Sequence, residues 1–100
     1  MADYITKREL EAIQPIIDRV LKQIMEKQAE LKDKQAKADE AQKRAQDARA
    51  AGDFHTAGRL EMDAIKLRDQ VQTIKRKIDD LDKEHEKLLY RARSCRIEYR

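Results

Sequence analysis

The chain has few of the side chains that fill the centre of a rounded domain. Its 100 residues include four aromatic residues, no tryptophan, two glycines and one proline. Hydrophobic residues make up 40% of the sequence, but thirteen of these forty are alanine, and charged residues make up 43%. Such a composition, with so little glycine and proline, favours long helices over a compact globule. It also fits a disordered chain, so the choice depends on the periodicity of the apolar residues.

Cysteine, a signal peptide and long apolar runs are also scarce or missing. A single cysteine, Cys95, excludes an intrachain disulfide and is compatible with a reducing compartment. The first residues do not combine a basic region with an apolar run, so the sequence predicts no secretory signal. No apolar stretch approaches the roughly 20 residues needed to cross a bilayer. We therefore expect a cytoplasmic protein without a membrane span.

The residues that usually carry catalysis are sparse as well. His85-Glu86 resembles part of a metalloprotease helix, but Leu89 stands where the second histidine would be needed. No glycine-rich phosphate loop is present. His85 either acts as a pH switch or tilts its ring to the edge of the helix pair, and we favour the second interpretation. We predict that the protein is not an enzyme and has no catalytic residues, metal ligands or cofactor.

Apolar residues recur three and four apart through the first half of the chain, which is typical of a coiled-coil seam. The pattern Thr6-x-x-Glu9 has the form of a capping box and indicates where the helix begins. Lysines interrupt the seam at 27 and 34, either to snorkel out of it or to specify register; we favour snorkelling. The seam consists of Leu10, Ile13, Ile17, Val20, Ile24, Lys27, Leu31, Lys34, Ala38, Ala41, Ala45 and Ala48.

Gly52 and Asp53 end this pattern. Glycine reaches the left-handed conformation that closes a helix, and aspartate is a favoured N-cap for the next one. A second seam then follows with strict alternation: Ala57, Leu60, Ala64, Leu67, Val71, Ile74, Ile78, Leu81, His85, Leu88, Ala92 and Cys95. When the chain is folded at Gly52, residue i of the first seam faces residue 105 − i of the second. This shared register disfavours a single continuous helix.

The sequence therefore predicts an all-α fold, a long antiparallel two-helix coiled-coil hairpin that pairs into a helical bundle. We expect one domain, residues 1–100, with helix one over about 6–50, a turn at 51–53 and helix two over about 54–97. Pro15 should kink helix one, because it removes a backbone hydrogen bond while the seam continues across it. In the alternative, Pro15 is the first residue of the main helix and 6–13 form a separate short segment.

Apolar residues outside the seams indicate a partner. A two-helix hairpin buries one stripe of each helix, so a second stripe predicts another packing surface. We predict partner binding through Leu21, Met25 and Leu89 on one flank and Tyr90 at the open end. Further apolar residues near that end are Tyr4, Ile5, Ile16, Ile97 and Tyr99.

The partner is the N-terminal segment folding back, a second copy that completes a four-helix bundle, or a different helical protein. We prefer the second copy, because an isolated two-helix hairpin is poorly buried. The predicted function is therefore that of a non-enzymatic protein–protein interaction or assembly module.

The C-terminal end indicates an alternative function. Residues 1–82 carry equal numbers of basic and acidic side chains, so the net charge of +3 lies in residues 83–100. Arginines can form bidentate hydrogen bonds with phosphates, and tyrosines can stack on bases. Arginines also complement the dipole at a helix C-terminus without any ligand. The alternative prediction is binding of nucleic acid or another anionic, phosphate-bearing ligand. The residues concerned are Arg91, Arg93, Arg96 and Arg100.

The segment Asp53-Phe54-x-x-Ala57-x-Arg59-Leu60 resembles the turn of the UVR motif, a short helical hairpin through which bacterial excision-repair subunits dock to each other. The resemblance implies docking through the turn, with Phe54, Ala57 and Leu60 as packing residues. It covers about a dozen residues. Gly58 stands where the motif usually has alanine, and residues 61–64 do not continue it, so we assign no family.

Overall fold

The computed structural model describes residues 6–93. Two helices account for nearly all of them: α1 comprises Lys7–Ala50 and α2 comprises Phe54–Arg93. The helices pack against each other as an all-α helical hairpin, which confirms the predicted fold class. The predicted end of helix two near residue 97 lies outside the described residues.

α1 begins at the predicted cap. The Thr6 hydroxyl oxygen accepts a hydrogen bond from the Glu9 amide at 3.2 Å, and the Thr6 carbonyl accepts one from the Leu10 amide at 2.9 Å. The helix then continues through Pro15 without a break. Pro15 is exposed, so its ring meets solvent and not the other helix. The bend expected at this residue stays a prediction.

The connection between the helices is a Schellman turn centred on Gly52, whose φ is +79°. The Gly52 amide donates to the Arg49 carbonyl at 3.1 Å and the Asp53 amide to the Ala48 carbonyl at 2.9 Å. These two bonds satisfy carbonyls that the end of α1 would otherwise leave without donors. Only glycine adopts this left-handed conformation at little cost, which explains why α1 stops here.

Asp53 closes one helix and caps the next. Its carboxylate accepts a hydrogen bond from the Thr56 amide at 3.2 Å, in the geometry of an N-cap. Hydrogen bonds from the Thr56 side chain and from the Thr56 amide lower the pKa of Asp53, and electrostatic interactions with His55 and Arg59 act in the same direction. The charged form of Asp53 is therefore favoured in the folded turn.

The hairpin divides into two compact units. The terminal unit combines the two ends of the chain, of which residues 6–26 and 78–93 are described; the turn unit comprises residues 27–77. In the terminal unit, Ile13 and Ile17 are buried. Leu88 and Ala92, their expected partners, pack against them together with Leu10 and Leu89. The predicted pairing of residue i with residue 105 − i therefore describes this unit.

The turn unit has a core of small residues. Ala38, Ala45, Ala57 and Ala64 are each at most 3% exposed, and Val71 and Ile74 are buried with them. The residues that line the grooves on the two sides of the seam agree with the register. One side brings Ala41 together with Leu60 and Leu67, and the other brings Ala45 together with Ala64. The predicted seam residues of this unit are all buried or half-buried, including both lysines.

The charged groups near the seam show how the lysines are accommodated. The half-buried Lys27 extends its ammonium to the Glu30 carboxylate at 3.2 Å, which is the geometry of a snorkelling side chain. Two further ion pairs join residues four apart on the surface of α1: Asp33–Lys37 at 3.2 Å and Glu40–Arg44 at 2.7 Å.

Candidate interaction surface

The hairpin has two flanks, one on each side of the seam. We label the seam positions of each helix a and d, with Leu10 and Ala57 at a, so that the other positions become b, c, e, f and g. In the turn unit, e and b residues of both helices line one groove: Gln42, Gln46, Glu61, Ile65 and Arg68. Residues at g and c line a groove on the opposite side: Lys37, Glu40, Arg44, Asp63, Lys66 and Gln70. We call these the e/b flank and the g/c flank.

An ion pair across the helices marks the e/b flank of the turn unit. The guanidinium of Arg49 contacts the carboxylate of Glu61, and both residues occupy e positions. The e residues of α1 and α2 therefore lie beside each other in this unit. The same heptad position applies to Leu21 and Leu89 in the terminal unit, where Leu89 packs against Ile13 and Ile17.

The structure brings three of the four predicted partner-binding residues to the e/b flank of the terminal unit. Leu21 is 43% exposed and Met25 is 63% exposed, at e and b positions respectively. Leu89 is half-buried, since it also covers the core. Tyr90 is 77% exposed but occupies an f position, on the outer surface of α2. Ile16 is exposed at a g position and belongs to the other flank.

Acidic side chains surround these apolar residues. The e and b positions of the terminal unit carry two basic residues, Lys7 and Arg93, and five exposed acidic residues. The acidic residues are Glu11, Asp18, Asp79, Asp82 and Glu86. Asp79 and Asp82 are three apart on α2, and Asp82 and Glu86 are four apart, so like charges are neighbours on the helix surface. We define the acidic patch as Leu21, Met25 and Leu89 together with Asp18, Asp82 and Glu86.

The turn unit exposes a second set of apolar residues, of which the sequence had indicated only Phe54. Phe54 is 66% exposed, Met62 is 55% exposed and Ile65 is 50% exposed. Phe54 and Ile65 occupy e and b positions, and Gly58 between them leaves open space where a side chain would begin. The heptad assignment alone would have revealed Ile65 as an apolar residue outside the seam. Ala57 is fully buried and Leu60 half-buried, but Phe54 is not packed within the hairpin.

Basic side chains accompany this second set of apolar residues. On the e/b flank of the turn unit, Lys32, Arg68 and Lys75 are exposed. The carboxylate of Glu61 is engaged by Arg49, which leaves Asp39 as the other acidic residue at these positions. We define the basic patch as Ile65 together with Lys32, Arg68 and Lys75.

The two predicted phosphate-binding arginines that the structure describes do not lie on one face. Arg91 and Arg93 are both exposed in the last turn of α2. However, Arg91 is at a g position and Arg93 at a b position, so the heptad directs them to different flanks. Arg96 and Arg100 lie outside the described residues, as do Tyr4, Ile5, Ile97 and Tyr99.

Within residues 6–93, no group of three or more histidine, cysteine, aspartate or glutamate side chains is placed to hold a metal ion. His85 is half-buried at its seam position. Neither helix contains, in its described part, an apolar stretch long enough to cross a membrane. Comparisons of the chain with known protein families, with curated proteins and with solved structures found no match.

Proposed function

We propose that the chain is a non-enzymatic interaction module that self-associates through the e/b flank of its terminal unit. The observation that carries this proposal is the exposure of Leu21 and Met25 at e and b positions of the flank to which the half-buried Leu89 also belongs. Each helix already buries its seam against the other helix, so Leu21 and Met25, with the exposed part of Leu89, form a second apolar stripe outside the seam. Burying such a stripe is the main driving force for helix association in water.

A second copy is the preferred partner, and the product would be a helical bundle. A different helical protein would offer the same kind of apolar stripe and remains the alternative partner. Tyr90 belongs to the proposed contact as a residue at its margin, since its ring is exposed on the outer surface of α2. A cytoplasmic location is part of this proposal.

Light scattering of the full chain at several protein concentrations tests self-association. The wild-type mass should rise above the 11.8 kDa of one chain as concentration increases. Leu21→Asp and Met25→Asp should return the protein to one chain, because each places a charge in an apolar contact. Ile16→Asp is the matched control, since the same charge then falls on the g/c flank of the same helix. Association that survives both Leu21→Asp and Met25→Asp would overturn the proposal.

Phosphate binding remains the second candidate, supported by the exposure of Arg91 and Arg93. It predicts that a fluorescent single-stranded oligonucleotide binds with an affinity that falls steeply as salt rises. Replacing Arg91, Arg93, Arg96 and Arg100 by glutamine should then remove binding. The interaction module predicts instead that these replacements leave self-association unchanged.

A further inference from the structure

The e/b flanks of the two units carry opposite charge. In the terminal unit, the e and b positions carry five exposed carboxylates and only two basic residues, Lys7 and Arg93. In the turn unit, these positions carry four basic residues and two acidic ones, Asp39 and Glu61, and Glu61 is already paired with Arg49. Both flanks also expose large apolar side chains. Each unit therefore has an apolar surface bordered by charges of one predominant sign.

The g/c flanks show no such separation. In the turn unit they carry five acidic and five basic residues, and in the terminal unit four acidic and three basic residues. The ion pairs Asp33–Lys37 and Glu40–Arg44 neutralise charge within this flank. Charge separation is thus a property of the flank that also exposes Leu21, Met25, Phe54 and Ile65.

We propose that the acidic patch of one copy binds the basic patch of a second copy. This inference rests on the proposed function and names the surface to which the terminal unit docks. Met25 and Leu21 would lie against Ile65 of the second copy, so that apolar surface is buried on both sides. Asp82 and Glu86 would meet Arg68 and Lys75, which gives the contact its orientation.

Charge complementarity is the reason for choosing a second copy over an unrelated helix. Two acidic patches facing each other would bring Asp82 and Glu86 close to their own counterparts, and this is unfavourable. A basic surface that also exposes apolar residues is the favourable partner, because its positive charges offset the repulsion between the neighbouring carboxylates of α2. The turn unit provides such a surface in every copy of the chain.

Charge reversal with sedimentation velocity at low salt tests this contact. One variant combines Asp82→Lys with Glu86→Lys, and the other combines Arg68→Glu with Lys75→Glu. Each alone should associate at least about 100-fold more weakly than wild type, because like charges then face each other. An equimolar mixture of the two should associate again, since every contact between the variants joins opposite charges. Helicity should not change, because all four residues are exposed.

Matched controls reverse the same number of charges on the g/c flank. Asp80→Lys with Glu84→Lys keeps the four-residue spacing in the terminal unit, and Arg59→Glu with Lys66→Glu keeps the seven-residue spacing in the turn unit. Both should associate as wild type does.

Three results would overturn the inference: a monomeric wild type, association that persists in both e/b variants, or a mixture that stays monomeric. If Met25→Asp abolishes association while the e/b charge variants do not affect it, the proposed function stands and only the complementary docking fails. If association is indifferent to Met25→Asp as well, the proposed function fails with it.

Discussion

The two units of the hairpin follow the same heptad with different side chains. The terminal unit buries Ile13, Ile17, Val20 and Ile24 in α1, whereas the turn unit buries Ala38 and Ala45 at the corresponding positions. The alanines are 2–3% exposed and the larger residues 4–8%, so both kinds of seam exclude water well. One register can thus be satisfied by bulky packing or by close packing of small residues.

The difference lies in what stabilises each unit. Burial of an isoleucine side chain contributes about 1.5–3 kcal/mol relative to leaving it exposed, and an alanine contributes much less. Ion pairs on the turn unit such as Asp33–Lys37 are more than half exposed, so each contributes under about 1 kcal/mol. The turn unit therefore depends more on the Schellman turn, the Asp53 cap and tight packing, and the terminal unit more on apolar burial.

Truncating the bulky seam should have the largest effect. Ile17→Ala should lower the free energy of unfolding by about 2–5 kcal/mol, because Ile17 is 5% exposed and a cavity would remain among Leu88 and Ala92. Urea denaturation followed by circular dichroism measures this loss. Ile16→Ala is the control, since Ile16 is 41% exposed and its truncation should cost about 0.5 kcal/mol or less. Equal losses for the two would mean that the seam register is wrong.

Enlarging a small residue of the alanine-rich seam should have the next largest effect. Here the loss comes from added volume and not from a cavity. Ala45→Leu adds apolar volume at a residue 2% exposed, where the predicted register places Leu60 at the facing position. The added side chain should lower the free energy of unfolding by about 1–3 kcal/mol through overpacking. Ala36→Leu places the same side chain on the exposed outer surface of α1 and should be nearly neutral. A stabilised Ala45→Leu protein would contradict the close packing of the turn unit.

The two glycines give a smaller and more discriminating pair of predictions. Gly52→Ala forces alanine to φ +79° and should cost about 1–2 kcal/mol of stability. Gly58→Ala should stabilise the helix by about 0.5–1 kcal/mol, because Gly58 lies inside α2 and an added Cβ meets no atom within 4 Å. Both are measured as shifts of the urea midpoint. Effects of the same sign would show that the turn, or the helix at Gly58, differs from the structure.

Most of the seam was predictable, because a seven-residue period places each residue on a face without any knowledge of the partner. The pairing of residue i with residue 105 − i followed from the position of Gly52, which has the left-handed conformation in the structure. The snorkelling of Lys27 was also predictable from its long apolar stem. Its pairing with Glu30 was predictable as well, since Glu30 is the one carboxylate three or four residues away from Lys27 in the sequence.

The flanks were less predictable, because they depend on how the two helices are offset. The ion pair Arg49–Glu61 joins residues that the pairing of i with 105 − i does not match, so the structure was needed to identify this pair. Ile65 lies at a b position on the flank, where the seam pattern alone assigns it no partner. By contrast, the separation of Arg91 from Arg93 was predictable from the sequence, because residues two apart on a helix do not share a face.

The cap at Asp53 should make the turn unit sensitive to acid, with the smallest effect of the series. Because the pKa of Asp53 is lowered in the folded protein, its contribution is fully present above the ordinary value of 3.8 and is lost as pH falls through the lowered pKa. Asp53→Asn keeps a capping oxygen but does not titrate. The advantage of wild type over Asp53→Asn in the urea midpoint should therefore be larger at about pH 6 than at about pH 2.5. Asp69→Asn, which removes a charge from the outer surface of α2 away from the cap, should not reproduce this change. A wild-type advantage that is equal at both pH values would show that the charge of Asp53 does not stabilise the start of α2.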